Sequence, residues 1–332
     1  MAQRIIMIHG RSTKPAKIQF ARLQKAALLQ GIKRISPSKA TKIQKGRIPI
    51  DFVYYGDINN QILAEVDKAA AKKLTATDPH SGDAPCIPAS GYAEAIAALK
   101  GFKRFDKKAY RRVVAENKDL RFVDNAARAV STLAAIFTGA NLNRFAIKKA
   151  TADMGAYLMR RSVGSAIRER LQDPLRKALK RDDDICLVSH SMGCMVAYDV
   201  LWKFSRMSEY SDLREGGAKV NRWVTLGCPL GEAGVKANLY DANEFEFQGG
   251  TDKHPKDIVG DWLNVAAVDD FISHDATMKN DYSAMVKYKY TDSITDIGIY
   301  NCYTFEGTSN PHKLYGYLAN PVCAATIADW IQ

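Results

Sequence analysis

Runs of strand length recur along the chain, and most are apolar at consecutive rather than alternate positions. They are RIIMIHG (4–10), RIPIDFVYYGD (47–57), DICLVS (184–189), NRWVTLG (221–227), VGDWLNVAAV (259–268) and IGIYNCYTFEG (297–307). A strand that is apolar throughout has to be covered on both faces. Helical patterns separate the runs. One covers 15–31, opened by Pro15 and closed by Gly31, and another covers 192–205. A last one covers 314–331 and is interrupted, or begins afresh, at Pro321. This alternation predicts an α/β fold, a mostly parallel sheet with helices on both faces. In such a sheet, functional groups collect at the carboxyl ends of the strands.

Between the second and third runs the pattern changes. Residues 63–180 carry helical spacing at 64–74, 91–102, 123–137 and 153–179, with a loop rich in Pro and Ser at 75–90. The last of these helices should cross back onto the sheet. We therefore expect a core formed by about 1–62 and 151–332. The segment 63–150 is a helical insertion over the sheet edge, in the position of a cap.

Composition narrows the class. With 46% hydrophobic and 25% charged residues, the chain has the make-up of a soluble globular protein. No apolar run is long enough for a transmembrane helix, and the N-terminus MAQRIIMIHG does not read as a signal peptide. A cytoplasmic protein is expected. The six cysteines, Cys86, Cys186, Cys194, Cys228, Cys302 and Cys323, form no CxxC pair and no zinc spacing, so free thiols are expected. The net charge is +12, and the first 50 residues hold 12 Lys or Arg with no Asp or Glu. These alternate with Ile18, Phe20, Leu23, Ala27, Leu28 and Ile32, the pattern of an amphipathic helix with a basic outer side. Such a side could also meet an anionic membrane surface. Nucleic acid is the less favoured partner.

The chemistry centres on DDICLVSHSMGCMVAYDVL (182–200), in which an apolar run ends in Ser-His-Ser-Met-Gly and passes directly into a helical pattern. A serine held on a sharp strand-to-helix turn needs small neighbours two residues before and after it; around Ser191 these are Ser189 and Gly193. This spacing marks a nucleophile elbow. The N–H of Met192, at the helix start, would face a developing oxyanion. His9-Gly10-Arg11 follows the first run, and the Arg11 N–H is the second candidate for the oxyanion hole. His9 itself reads as a structural residue that pins this loop. A serine also needs a base and a group to orient that base. His312, in a late loop, is the candidate base, with His274 as its nearest rival. His190 is expected to point away from Ser191. Asp269 and Asp270 end the fifth run and face different ways, so only one can reach the histidine. Asp270 is preferred, Asp269 is the alternative acid, and Asp275 is more distant.

The order Ser191, Asp270, His312 resembles that of the α/β-hydrolase superfamily. The resemblance extends to His9-Gly10, to SHSMG, to TLGCPLG (225–231) and to DWLNVAAVDDFI (261–272). It covers about 1–60 and 151–332, and it begins at the strand carrying the HG loop, without two leading strands. It implies a three-layer α/β-hydrolase-like fold and a lipase- or esterase-like serine hydrolase with no cofactor and no metal. Ser191, Asp270 and His312 would form the catalytic triad, acting on a lipid or small acyl ester. An acyltransferase or thioesterase could use the same triad. A catalytically silent protein that binds an anionic partner through its basic N-terminal region is the rival from another class.

Overall fold

The computed structural model describes residues 1–11, 14–66, 144–243, 253–267, 270, 273, 277–299, 301, 303–305, 308–309 and 311–332. The expected helices at 91–102 and 123–137, most of that at 64–74, and the cap over 63–150 fall largely outside these residues. So do Asp269, His274, Asp275, Cys86 and Cys302.

Six parallel strands form one sheet in the order β2-β1-β3-β4-β5-β6. The strands are β1 (Gln3–Ile8), β2 (Ile50–Val53), β3 (Asp184–His190), β4 (Val220–Leu226), β5 (Val259–Ala267) and β6 (Ser293–Ile299). The molecule is of the α/β class. From β1 the chain first steps outward to β2, then crosses back to β3 on the other side. The order therefore reverses between β1 and β3, and a crevice at such a reversal is where open parallel sheets bind ligands.

Each face of the sheet carries its own core. On one side Ile6, Ile8, Ile185 and Leu187 pack against α5 (Arg161–Lys180) and α6 (Met192–Arg206). On the other, Ile5, Met7, Cys186 and Val188 pack against α1 (Lys17–Ile35), α2 (Pro37–Gln44), α7 (Leu314–Ala319) and α8 (Pro321–Ala328). Strand alternation sends neighbours in β1 to opposite layers. Helix α3 (Gly56–Val66) follows β2, and α4 (Arg144–Met159) precedes α5.

Several boundaries depart from expectation. Helix α1 runs through Gly31 to Ile35, because that glycine is a point of close approach: a Cβ there would lie 2.4 Å from the Leu318 carbonyl. Ile18, expected on the buried face of α1, is 70% exposed. The expected helix 153–179 is two helices broken at Arg160, whose backbone is extended. The expected strand 297–307 is displaced: β6 ends at Ile299, and two-residue strands at Thr304–Phe305 and Thr308–Ser309 form a separate hairpin. A new helix does begin at Pro321, where the Asn320 side chain accepts from the N–H groups of Val322 and Cys323. Cys186, Cys194, Cys228 and Cys323 are buried free thiols. No helix among the described residues is long and apolar enough to cross a membrane.

Candidate active site

The carboxyl ends of β1, β3, β4, β5 and β6 lie along one edge of the sheet, and the residues singled out by pattern follow them. Ser191 comes directly after β3 and opens α6. Its backbone has φ +55° and ψ −127°, a left-handed conformation that non-glycine residues rarely adopt. Hydrogen bonds hold the turn: Ser191 N–H donates to the Leu226 carbonyl at 3.0 Å, and its carbonyl accepts from Cys194 N–H at 2.8 Å. Strain of this kind persists only where the surroundings over-determine it.

The small neighbours have identifiable causes. A Cβ on Gly193 would lie 2.5 Å from the His9 carbonyl oxygen, and one on Gly10 would lie 2.7 Å from Ser191 Cβ. The β1 loop and the elbow are thus packed backbone against backbone. Ser189, two residues before Ser191, is fully buried, and its Oγ accepts from Trp223 Nε1 at 2.9 Å.

Ser191, His312 and Asp270 form one hydrogen-bonded chain. Ser191 Oγ lies 2.8 Å from His312 Nε2, and His312 Nδ1 lies 2.7 Å from Asp270 Oδ2. Ionised Asp270 only accepts, so His312 carries its proton on Nδ1 and presents the Nε2 lone pair to the serine hydroxyl. Ser191 and Asp270 are buried at 2% and 1% exposure, while the His312 side chain keeps 14%.

Sequence pattern missed two supports of this chain. Tyr317 on α7 donates its hydroxyl proton to Asp270 Oδ2 at 2.7 Å while accepting from Ala267 N–H at 3.0 Å. Burial, then the neighbouring Asp270, pushes the Tyr317 pKa well above the usual tyrosine range, so the hydroxyl keeps its proton. Gly227 follows β4 with φ +52°, and a Cβ there would lie 2.9 Å from Asp270 Oδ2 and 3.0 Å from His312 Nδ1. Its place in TLGCPLG was a sequence signal for a tight turn, but not for this contact.

Set against protein-family models, curated proteins and solved structures, the chain gives no match. The site therefore has to be read from its own geometry.

Met192 occupies the first position of α6, where backbone N–H groups have no intrahelical acceptor. Arg11 sits in the loop after β1, next to Gly10, which closely approaches Ser191. Its Nε donates to Asp153 Oδ1 on α4 at 3.3 Å, with the two side chains 7% and 0% exposed. The buried ion pair ties this loop to the helix that precedes α5. Both ring nitrogens of His9 are hydrogen-bonded: Nε2 accepts from Tyr55 N–H at 3.1 Å, which leaves the proton on Nδ1 to donate to the Gly10 carbonyl at 2.6 Å. It stacks on Tyr55 at 4.1 Å, and burial lowers its pKa to about 3. His9 is thus a neutral pin for the loop. Among the described residues, no three His, Cys, Asp or Glu side chains gather as a metal site would require.

Proposed function

We propose that the protein is a serine hydrolase of the α/β-hydrolase superfamily that cleaves a carboxylic ester, with the 63–150 segment as its cap. One observation carries this reading. Three residues from segments that follow three separate strands join in a Ser191–His312–Asp270 hydrogen-bonded chain, and Ser191 stands on a left-handed turn. The strand order also supports it, with the serine after β3, the acid after β5 and the histidine after β6.

In this reading His312 Nε2 takes the hydroxyl proton as Ser191 Oγ attacks the ester carbonyl carbon. Asp270 stabilises the imidazolium that forms and keeps its own proton off. The N–H groups of Arg11 and Met192 receive the oxyanion. Collapse expels the alcohol, which leaves with the proton returned by His312. Water, deprotonated by the same nitrogen, then attacks the acyl-enzyme, releasing the carboxylic acid and restoring the serine. A lipid or small acyl ester fits this sequence, and no cofactor enters it.

The test is labelling by a fluorescent fluorophosphonate beside hydrolysis of an ester series of increasing chain length. Wild type should be labelled, and Ser191→Ala should not. Ester turnover should fall by about 10⁴-fold in Asp270→Asn, because the histidine then takes the wrong tautomer. A folded wild type that neither reacts with the probe nor cleaves any ester would sink the reading.

A further inference from the structure

The elbow sets a second histidine beside the base. His190 ends β3 immediately before Ser191 and is only 6% exposed. Its ring centre lies 4.8 Å from that of His312, and its Nε2 lies 2.9 Å from the His312 carbonyl oxygen. A carbonyl only accepts, so Nε2 carries the proton and donates it. Nδ1 is then left with a lone pair, and it is buried without a hydrogen-bond partner among the described residues. Burial, together with the nearby His312, pushes the His190 pKa well below the usual histidine range, so the ring stays neutral.

An orphaned buried acceptor is costly. A residue serving packing alone would be apolar at this place. Histidine is accounted for if the donor on its other side has a use. That donor meets the backbone of the base itself. One residue further on, Asn301 does the same work: its Nδ2 donates to the Lys313 carbonyl at 3.0 Å, while its Oδ1 accepts from Tyr303 N–H at 3.2 Å. Asn301 is fully buried. Two consecutive carbonyls, of His312 and Lys313, thus each receive a side-chain donor, one from the end of β3 and one from beyond β6. His312 lies in a loop well past the end of β6 at Ile299, and an unrestrained loop would spread its imidazole over many positions.

We infer that His190 and Asn301 are positioning residues, a two-point brace that fixes the His312 loop so that Nε2 meets the Ser191 hydroxyl. The inference deepens the serine hydrolase reading and rests on it. The brace touches neither substrate nor the reacting atoms, so it should govern turnover and leave binding alone.

The experiment compares fluorophosphonate labelling rates and ester kinetics for wild type, His190→Gln and His190→Leu. Glutamine can present a donor near the position of Nε2, and leucine cannot. A base displaced by about 1 Å costs on the order of 10²-fold. His190→Leu should therefore lose about that factor in both kcat and labelling rate, with KM unchanged, and His190→Gln should recover most of it. Should His190→Leu not fold, Asn301→Asp carries the same test, since it keeps the acceptor for Tyr303 and removes the donor to Lys313. A folded His190→Leu or Asn301→Asp that is labelled at the wild-type rate overturns the brace. An equal fall in kcat for the leucine and glutamine variants overturns it too. A wild type that the probe does not label takes down the hydrolase reading itself, and the brace with it.

Discussion

At the residue scale, the arrangement depends on groups that do no chemistry in the proposed mechanism. Asp270 Oδ2 accepts from both His312 and Tyr317, and Tyr317 in turn receives the Ala267 N–H. Tyr317→Phe removes one donor from the carboxylate and strands a buried amide. We expect it to cost about 1–3 kcal/mol in urea unfolding, and to lower kcat with KM held. A phenylalanine variant as stable and as active as wild type would show that the hydroxyl is dispensable. Gly227→Ala is expected to be harsher on turnover. It imposes a side chain on a left-handed residue and pushes it against both Asp270 and His312. A fall of about 10-fold or more in kcat should follow, readable in single-turnover kinetics. These supports show what sequence can and cannot convey. Ser191 and Gly193 were legible because an elbow is local chemistry, written within five residues. Tyr317 was not, because its partner lies 47 residues away. Asp269 and Asp270 are neighbours with the same chemistry, so pattern gave a preference for Asp270 and left Asp269 as the alternative.

At the element scale, Asp199 joins α4 to the helix behind Ser191. This α6 carboxylate accepts from the Tyr157 hydroxyl of α4 and from the Tyr240 N–H at 2.9 Å, and it lies 3.7 Å from Arg168 of α5. Burial raises its pKa to about 6 despite these partners. The folded state therefore holds this proton more tightly than the unfolded chain, where an aspartate titrates near 3.8. The associated stabilisation is full below pH 3.8 and is lost as pH rises through about 6. It amounts to about 3 kcal/mol. Asp199→Asn has no such proton to lose. Measured by urea unfolding, wild type should thus lose about 3 kcal/mol relative to Asp199→Asn between pH 3 and pH 7. A difference that stays constant across that range would contradict the coupling. Elements were legible to the extent that burial was uniform. The interior strands β1, β3, β4 and β5 are apolar enough to be read directly. The edge strand β6, SITDIGI, is half polar, and its Asp296 is spent on the Asn264 amide and on the N–H groups of Met278 and Lys279, so its start was missed. Gly31 looked like a helix stop but is a contact with α7, a distinction that only the packing reveals.

At the scale of the whole molecule, one sheet serves as a shared wall for two cores. The strand order could not be read from the chain, because parallel runs of similar composition do not say which pair. Once the order is known, β1 is an interior strand: it pairs with β2 on one side and β3 on the other, and its loop meets Ser191. Ile5 belongs to the layer beneath α1 and α7, and Ile6 to the layer beneath α5 and α6. Damage to one layer should therefore weaken the other, because the strand that loses packing is the same strand. Tryptophans can report this. Trp223 and Trp262 lie in the second of these layers, stacked at 4.4 Å, and Trp330 lies in the first. Ile5→Ala removes side-chain volume from the layer of Trp330 and should cost about 2–5 kcal/mol. Built into a Trp330→Phe background, where no tryptophan remains in that layer, it should still shift the urea midpoint seen by Trp202, Trp223 and Trp262 by the full amount. An unmoved midpoint would mean that the two layers unfold separately. The elbow, which draws its backbone contacts from β1 and β4 alike, would then be held by a weaker frame than one continuous sheet supplies.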